Sequence, residues 1–193
     1  MDQKKVYFEA LNEGDITTVR EMLDKGMSLD ARDFFEATAL IVAAFRGHAQ
    51  ICELLIARGV DVRATDYKGF TALMTACESE IPNPDLVNLL LAKGSDVNAT
   101  SSGGATALSA AAKIGHPDLV SILLKHGANI NAQNDHLVTP LIWAANEGHW
   151  EVARILLENG ANKNMRTDNG YTAESIAQEN GKYQIIELLR AFG

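Results

Sequence analysis

The feature that most constrains the fold is a repeat of 33 residues, marked along the chain by two series of glycines. A two-residue insertion between Thr71 and Leu89 accounts for the single break in the register. A fixed period of this length predicts a stack of structural repeats, each packed against its neighbours. The two series are Gly14, Gly47, Gly115, Gly148, Gly181 and Gly26, Gly59, Gly94, Gly127, Gly160.

Each repeat is predicted to begin its first helix at a threonine. Threonine is a favoured N-cap, and Pro140 suits the first helical position after Thr139. The first glycine series then ends this helix in the left-handed conformation. Small side chains follow in phase and allow neighbouring helices to approach closely. The threonines are Thr38, Thr71, Thr106, Thr139 and Thr172, and the small residues are Ala10, Ala43, Ala76, Ala111, Ala144 and Ala177.

A second helix is predicted between the two glycine series. Its apolar residues recur at spacings of three and four, as in Leu119, Ile122 and Leu123, which places them on one helical face. The second glycine series ends this helix, and a short extended stretch leads to the next turn. The pattern therefore predicts a helix–turn–helix unit in every repeat.

Three segments carry a family resemblance: residues 66–73, 127–132 and 139–149 resemble the ankyrin-repeat consensus. The resemblance implies an all-α solenoid, an ankyrin repeat stack of helix-turn-helix units with short β-hairpin tips. It implies a single ankyrin-repeat domain over residues 1–193, with degenerate first and last repeats as caps. The repeats are expected at about 1–32, 33–65, 66–100, 101–133, 134–166 and 167–193.

The chain departs from the consensus in ways that bear on stability and assembly. Glu36 and Leu137 stand where a hairpin tip normally has glycine, and we expect them to weaken local stability. Glu21 and Glu174 replace apolar residues of the inner repeats, which predicts polar outer faces on the terminal repeats. We therefore expect a complete array and a monomer.

Composition argues against several classes of partner. The formal net charge is −8, which disfavours bulk attraction to nucleic acid or to an anionic membrane. No segment reads as a secretory signal or reaches the ~20 apolar residues of a membrane span. We expect a cytoplasmic protein that binds neither nucleic acid nor membrane.

Cys52 and Cys77 lie in apolar helical runs and are expected to be buried and reduced.

No motif indicates catalysis or metal binding. His48, His116 and His149 recur in register, but equivalent positions of stacked helices lie roughly 8–10 Å apart. Imidazoles that share one zinc ion must bring their nitrogens within about 4 Å. The family resemblance implies instead that these histidines are structural. Phosphate-binding and nucleophile motifs are missing from the sequence, so we expect no enzyme activity, no catalytic residue, no cofactor and no metal.

The resemblance implies that hairpin tips and first helices face a concave groove that binds a folded protein partner. Groove positions of the second and third repeats are rich in aromatic residues, which dominate interface hot spots. An open alternative is that some rings pack onto the neighbouring repeat. The second open alternative is functional: a dedicated inhibitory or regulatory subunit, or a bacterial ankyrin effector that blocks a partner enzyme, rather than a scaffold. The predicted partner-binding residues are Phe34, Phe35, Arg46, Tyr67, Lys68, Phe70, Lys113 and Trp143.

Overall fold

The structure, a computed structural model, describes residues 2–192 and contains twelve α-helices within them. Among these residues no helix is long and apolar enough to cross a bilayer. The helices are α1 (Gln3–Glu13), α2 (Ile16–Asp24), α3 (Ala39–Phe45), α4 (Ala49–Ala57), α5 (Ala72–Glu78), α6 (Pro84–Ala92), α7 (Ala107–Ile114), α8 (Pro117–Lys125), α9 (Pro140–Glu147), α10 (Trp150–Glu158), α11 (Ala173–Glu179) and α12 (Tyr183–Ala191). The predicted all-α class is confirmed.

The chain divides into two compact units, Met1–Asp96 and Val97–Gly193. In the first unit α3 packs between α1 and α5, while α4 packs between α2 and α6. In the second unit α9 packs between α7 and α11, while α10 packs between α8 and α12. Each unit is therefore a stack of three helix pairs. The expectation of one domain over residues 1–193 stays a prediction.

The predicted threonine caps are confirmed. The Thr38 hydroxyl accepts a hydrogen bond from the Ile41 N–H at 3.4 Å, and the other four threonines make the equivalent bond. At Thr106 the bond is reciprocated, because the Ser109 hydroxyl accepts from the Thr106 N–H at 2.9 Å. Each first helix after the degenerate first repeat therefore has a fixed starting residue.

The helices of each unit pack through small residues. All six in-phase alanines are buried, and so are long side chains of the second helices such as Leu55, Leu90 and Leu123. Cys52 and Cys77 are free and fully buried. Burial raises the pKa of each thiol to about 12. The two cysteines therefore belong to the core of the first unit.

Hairpin tips precede the first helices and are held by aspartate or a related side chain. A short antiparallel bridge joins Arg32 to Thr38, and another joins Thr65 to Thr71. A backbone hydrogen bond joins these two tips, because the Tyr67 N–H donates to the Phe35 carbonyl at 3.3 Å. Neighbouring tips of the first unit are therefore linked directly through their backbones.

Two tips contain a strained residue. Glu36 and Leu137 both have φ of 56°, in the left-handed region where the equivalent Gly69 and Gly170 have φ of 79° and 82°. This conformation costs a residue with a side chain about 1–2 kcal/mol. The Glu36 carbonyl accepts from Arg32 Nη1 at 2.5 Å, which helps to hold the strained turn.

Candidate functional site

The first unit has a surface cavity of about 500 Å³ between its second and third repeats. Four rings line it, and aliphatic side chains of α3 form part of the same lining. We call this surface the aromatic groove. Its apolar lining consists of Phe35, Phe45, Tyr67 and Phe70, with Ala37, Ile41 and Val42.

The tip rings form a continuous aromatic surface beside the groove. Phe34 is 92% exposed, and its ring meets Phe35 edge-on with the centroids 5.5 Å apart. Phe35 in turn stacks on Tyr67 at 6.2 Å, with an interplanar angle of 28°. The stacking follows from the linked tips, because the backbone bond from Tyr67 to Phe35 fixes their spacing. Three rings from two repeats are thus presented to solvent together.

Cationic groups lie over two of the rings. Lys68 Nζ is 5.4 Å from the centroid of Tyr67, and Arg46 Cζ is 5.7 Å from that of Phe45. Both distances are within the range of cation–π attraction. These contacts place positive charge at the edge of the aromatic groove.

The Arg46 guanidinium is also fixed by the first repeat. Its Nε donates to Asn12 Oδ1 at 2.9 Å, and Asn12 Nδ2 donates to the Phe8 carbonyl at 2.7 Å. Sequence reasoning does not find Asn12, since it lies in the degenerate first repeat. The only available signal is its position, 34 residues before Arg46 and thus about one repeat earlier.

Two carboxylates of the groove stabilise the tips. Asp33 Oδ1 accepts from the Phe35 N–H at 2.8 Å and from the Ala37 N–H at 2.9 Å. Asp66 Oδ1 accepts from the Lys68 and Phe70 N–H groups, both at 2.8 Å. These bonds form the turns that orient the rings.

Phe70 differs from the other tip aromatics because it is half-buried. Phe35, Tyr67 and Phe70 all line the groove, but Phe35 and Tyr67 are largely exposed, as Phe34 is. The open alternative from the sequence, that some rings pack onto the neighbouring repeat, applies in part to Phe35 and Tyr67, which stack across two repeats.

Lys113 and Trp143 belong to the second unit and form a pair of their own. Lys113 lies at the end of α7, and its Nζ is 5.2 Å from the centroid of the half-buried Trp143 ring on α9. The pair repeats the cation–aromatic combination found in the first unit.

Two of the in-register histidines contact the preceding repeat. His48 Nε2 lies 3.2 Å from the Asn12 carbonyl oxygen, and His149 Nε2 lies 2.9 Å from that of Lys113. Both rings therefore bind the carbonyl groups at the end of a neighbouring helix. Over residues 2–192, no group of three or more His, Cys, Asp or Glu side chains is arranged to hold a metal ion.

The sequence matches the family model described as ankyrin repeats (3 copies) at residues 7–101, 79–167 and 138–193. It is 40% identical over 65 residues to serine/threonine-protein kinase 12 of Arabidopsis thaliana, which is 34% of this chain and 14% of that protein. It is 36% identical over 78 residues to ankyrin repeat, SAM and basic leucine zipper domain-containing protein 1 of Neofelis nebulosa and of Mus musculus, which is 40% of this chain and 16% of each relative.

The chain thus spans only a small part of these relatives' lengths, and the full activities of those proteins do not transfer to it. Ankyrin repeats are generally protein–protein interaction modules and are typically not enzymes. The family model covers every residue from 7 to 193, and the helix pair recurs six times among the described residues. The chain belongs to the ankyrin-repeat family.

Proposed function

We propose that this chain is a protein-interaction module that binds a folded protein partner through the aromatic groove of its first unit. The observation that carries the proposal is the contiguous surface formed by Phe34, Phe35 and Tyr67 beside a cavity of about 500 Å³. Single exposed apolar residues are common on proteins, whereas contiguous apolar patches mark interaction sites.

The energetic basis is desolvation of the rings. The three tip rings are 92%, 57% and 57% exposed, so they have much apolar area left to bury. Burial contributes about 25 cal/mol per Å² of apolar surface, and aromatic residues at the centre of an interface often dominate affinity. Arg46, Lys68 and Phe70 adjoin these rings and are proposed to complete the contact.

Lys113 and Trp143 are proposed as a further contact, made by the second unit. Arginine, tryptophan and tyrosine are enriched among hot spots, but Trp143 is half-buried and offers less area than Phe34. We therefore assign the main contribution to the first unit.

The proposal includes no catalysis and assigns binding to a cytoplasmic monomer. The exposed Glu21 pairs with Lys25 at 3.3 Å, and Glu174 pairs with Arg190 at 2.8 Å, so each terminal repeat carries polar groups. Buried free thiols suit a reducing compartment. Light scattering should give the mass of one chain at every concentration, and a constant dimer mass would contradict the monomer.

Site-specific photo-crosslinking tests the binding surface. A benzoylphenylalanine introduced in place of Phe34, in the native host, should capture a protein partner in high yield. The matched control carries the same group in place of Glu53, which is exposed on α4 in the same unit. Equal capture from both positions would contradict the assignment.

The captured partner also separates the two functional interpretations. If it is an enzyme, its activity is measured with and without one equivalent of this chain. Inhibition would favour the regulatory-subunit interpretation, and unchanged activity would favour a scaffold.

A further inference from the structure

We infer that the occupant of the aromatic groove is a partner segment carrying a large apolar side chain next to a carboxylate, and that Arg46 binds this carboxylate. The inference rests on the proposed function and adds the chemical class of the ligand. It follows from the hydrogen bonds that Asp33, Asp66 and Arg46 already make, and from the cations beside the rings.

The net charge of the lining does not decide whether the groove prefers an acidic or a basic ligand. The lining contains Asp33, Asp66 and Glu78 against Arg46 and Lys68, a formal charge of −1 (two positive minus three negative). Asp33 and Asp66, however, each accept two backbone N–H groups of their own turns. Asp33 and Asp66 are therefore engaged with their own tips, and the preference of the groove for a ligand depends on the donors that Arg46 presents beside the rings.

The Arg46 guanidinium has N–H groups that can donate to a ligand. Among the described residues, Asn12 Oδ1 is the only hydrogen-bond acceptor of the Arg46 guanidinium, and it takes Nε. The two terminal nitrogens remain for a ligand. Asn12 and the Phe45 ring hold the guanidinium in place, which reduces the entropy lost on binding. A fixed guanidinium matches the two oxygens of a carboxylate in a bidentate pair.

The ring faces disfavour a cationic ligand. The faces of Tyr67 and Phe45 already have Lys68 and Arg46 near them. A lysine or arginine of the partner at the same faces would be repelled by these like charges, whereas a carboxylate is attracted. An apolar side chain suits the cavity itself, because rings and aliphatic side chains line it. Its volume of about 500 Å³ is in the range of ligand pockets, ~300–1,000 Å³.

The test uses a phage-displayed library of random peptides, selected in parallel on the full-length chain and on three full-length variants. Arg46→Gln removes the charge, Arg46→Lys keeps it without the bidentate geometry, and Phe35→Ala/Tyr67→Ala removes two tip rings. Circular dichroism melting of each variant verifies that it is folded. Peptides selected on the natural chain are expected to combine an aromatic or large aliphatic residue with an adjacent Asp or Glu.

A selected peptide and its Asp/Glu→Asn/Gln counterpart are then compared by fluorescence anisotropy. The amide form should bind about tenfold more weakly to the natural chain, as a charge-assisted hydrogen bond implies. That difference should disappear in Arg46→Gln and be reduced in Arg46→Lys. Peptides that need Phe35 and Tyr67 but show no acidic preference, or a basic one, would overturn this inference and leave the proposed function intact. If no peptide is selected at all, this inference is overturned, while the proposed binding of a folded partner is not. Peptides that bind the double aromatic variant equally well would overturn both.

Discussion

The imidazole of His149 covers Gly115 of the preceding repeat. His149 Nε2–H donates to the Lys113 carbonyl at 2.9 Å, and a Cβ atom added at Gly115 would come within 2.5 Å of His149 Nδ1. His48 lies over Gly14 in the same way, at 2.7 Å from such an atom. The glycine thus serves two purposes here: it has φ of 90°, and it leaves space for the histidine of the next repeat.

This relationship predicts an unequal effect of two glycine substitutions. Gly115→Ala and Gly127→Ala both place a side chain at positive φ, which costs about 1–2 kcal/mol. A Cβ atom at Gly127 meets nothing within 4 Å, whereas one at Gly115 overlaps the His149 ring. Gly115→Ala should therefore lower the free energy of unfolding by about 1–3 kcal/mol more than Gly127→Ala does, which is the usual cost of overpacking. Urea denaturation measures the difference. In a double-mutant cycle, His149→Ala should recover part of the loss at Gly115, and strict additivity would exclude the proposed clash.

Glycine at the strained tips should stabilise the fold. Glu36→Gly relieves about 1–2 kcal/mol of left-handed strain and loses about 0.5–1 kcal/mol through greater freedom of the unfolded chain. We expect a net gain of about 0.5–1 kcal/mol from these two terms. The reverse substitution in the third repeat, Gly69→Ala, is the control and should destabilise the fold. A Glu36→Gly variant that is less stable in urea would show that Glu36 has a stabilising role beyond its backbone.

The exposed tip rings should affect binding more than stability. Phe35→Ala and Tyr67→Ala should each weaken binding of the partner captured at position 34 by about 2 kcal/mol, or thirtyfold. Their effect on the free energy of unfolding should be below about 1 kcal/mol, which is the value of one ring–ring contact. Calorimetric titration and thermal melting measure the two effects.

Two further variants serve as comparisons for these rings. Phe70→Ala should lower the thermal midpoint as well, because that ring is half-buried. Asp135→Ala, at a tip of the second unit, should change binding less than either aromatic variant. Loss of binding that is always accompanied by unfolding would remove the tip rings from the proposed site.

Alkaline pH should destabilise the first unit. Burial raises the pKa of Cys52 and Cys77 from 9.0, and that of Tyr7 from 10.0, to about 12 in each case. Above pH 9 the unfolded chain releases protons that the folded chain retains, so stability falls as the pH rises from about 9 to 12. Urea midpoints should therefore decrease between pH 8 and pH 11. Native-state alkylation of the thiols at pH 8 should be slow and become fast in urea, and rapid labelling of the folded chain would contradict this.

The Tyr7 hydroxyl offers a simple stabilising substitution. Tyr7 is fully buried, and its Oη has no hydrogen-bond partner among the described residues. An unsatisfied buried hydroxyl costs about 1–3 kcal/mol, so Tyr7→Phe should leave stability unchanged or raise it by about 1 kcal/mol. Tyr7→Leu, which also changes the packing, is the comparison and should be less stable. A clear loss of stability in Tyr7→Phe would indicate that the hydroxyl is satisfied, for example by bound water.

Local sequence by itself determined the helix pairs and their ends. Thr106 and Gly115 act on the backbone within a few residues, so the 33-residue period locates caps and turns without knowledge of the packing. The same period identified the tip positions of Phe34, Phe35 and Tyr67. It also identified Glu36 and Leu137 as exceptions, because a departure from glycine is visible in the sequence.

Only the tertiary structure decided what these side chains touch. The contacts between Asn12 and Arg46, between His149 and Lys113, and between Phe35 and Tyr67 join residues more than 30 positions apart. The half-burial of Phe70 likewise depends on the surrounding fold. A repeat pattern gives the register of such residues, but side-chain rotamers and the close approach of neighbouring repeats determine which of them meet.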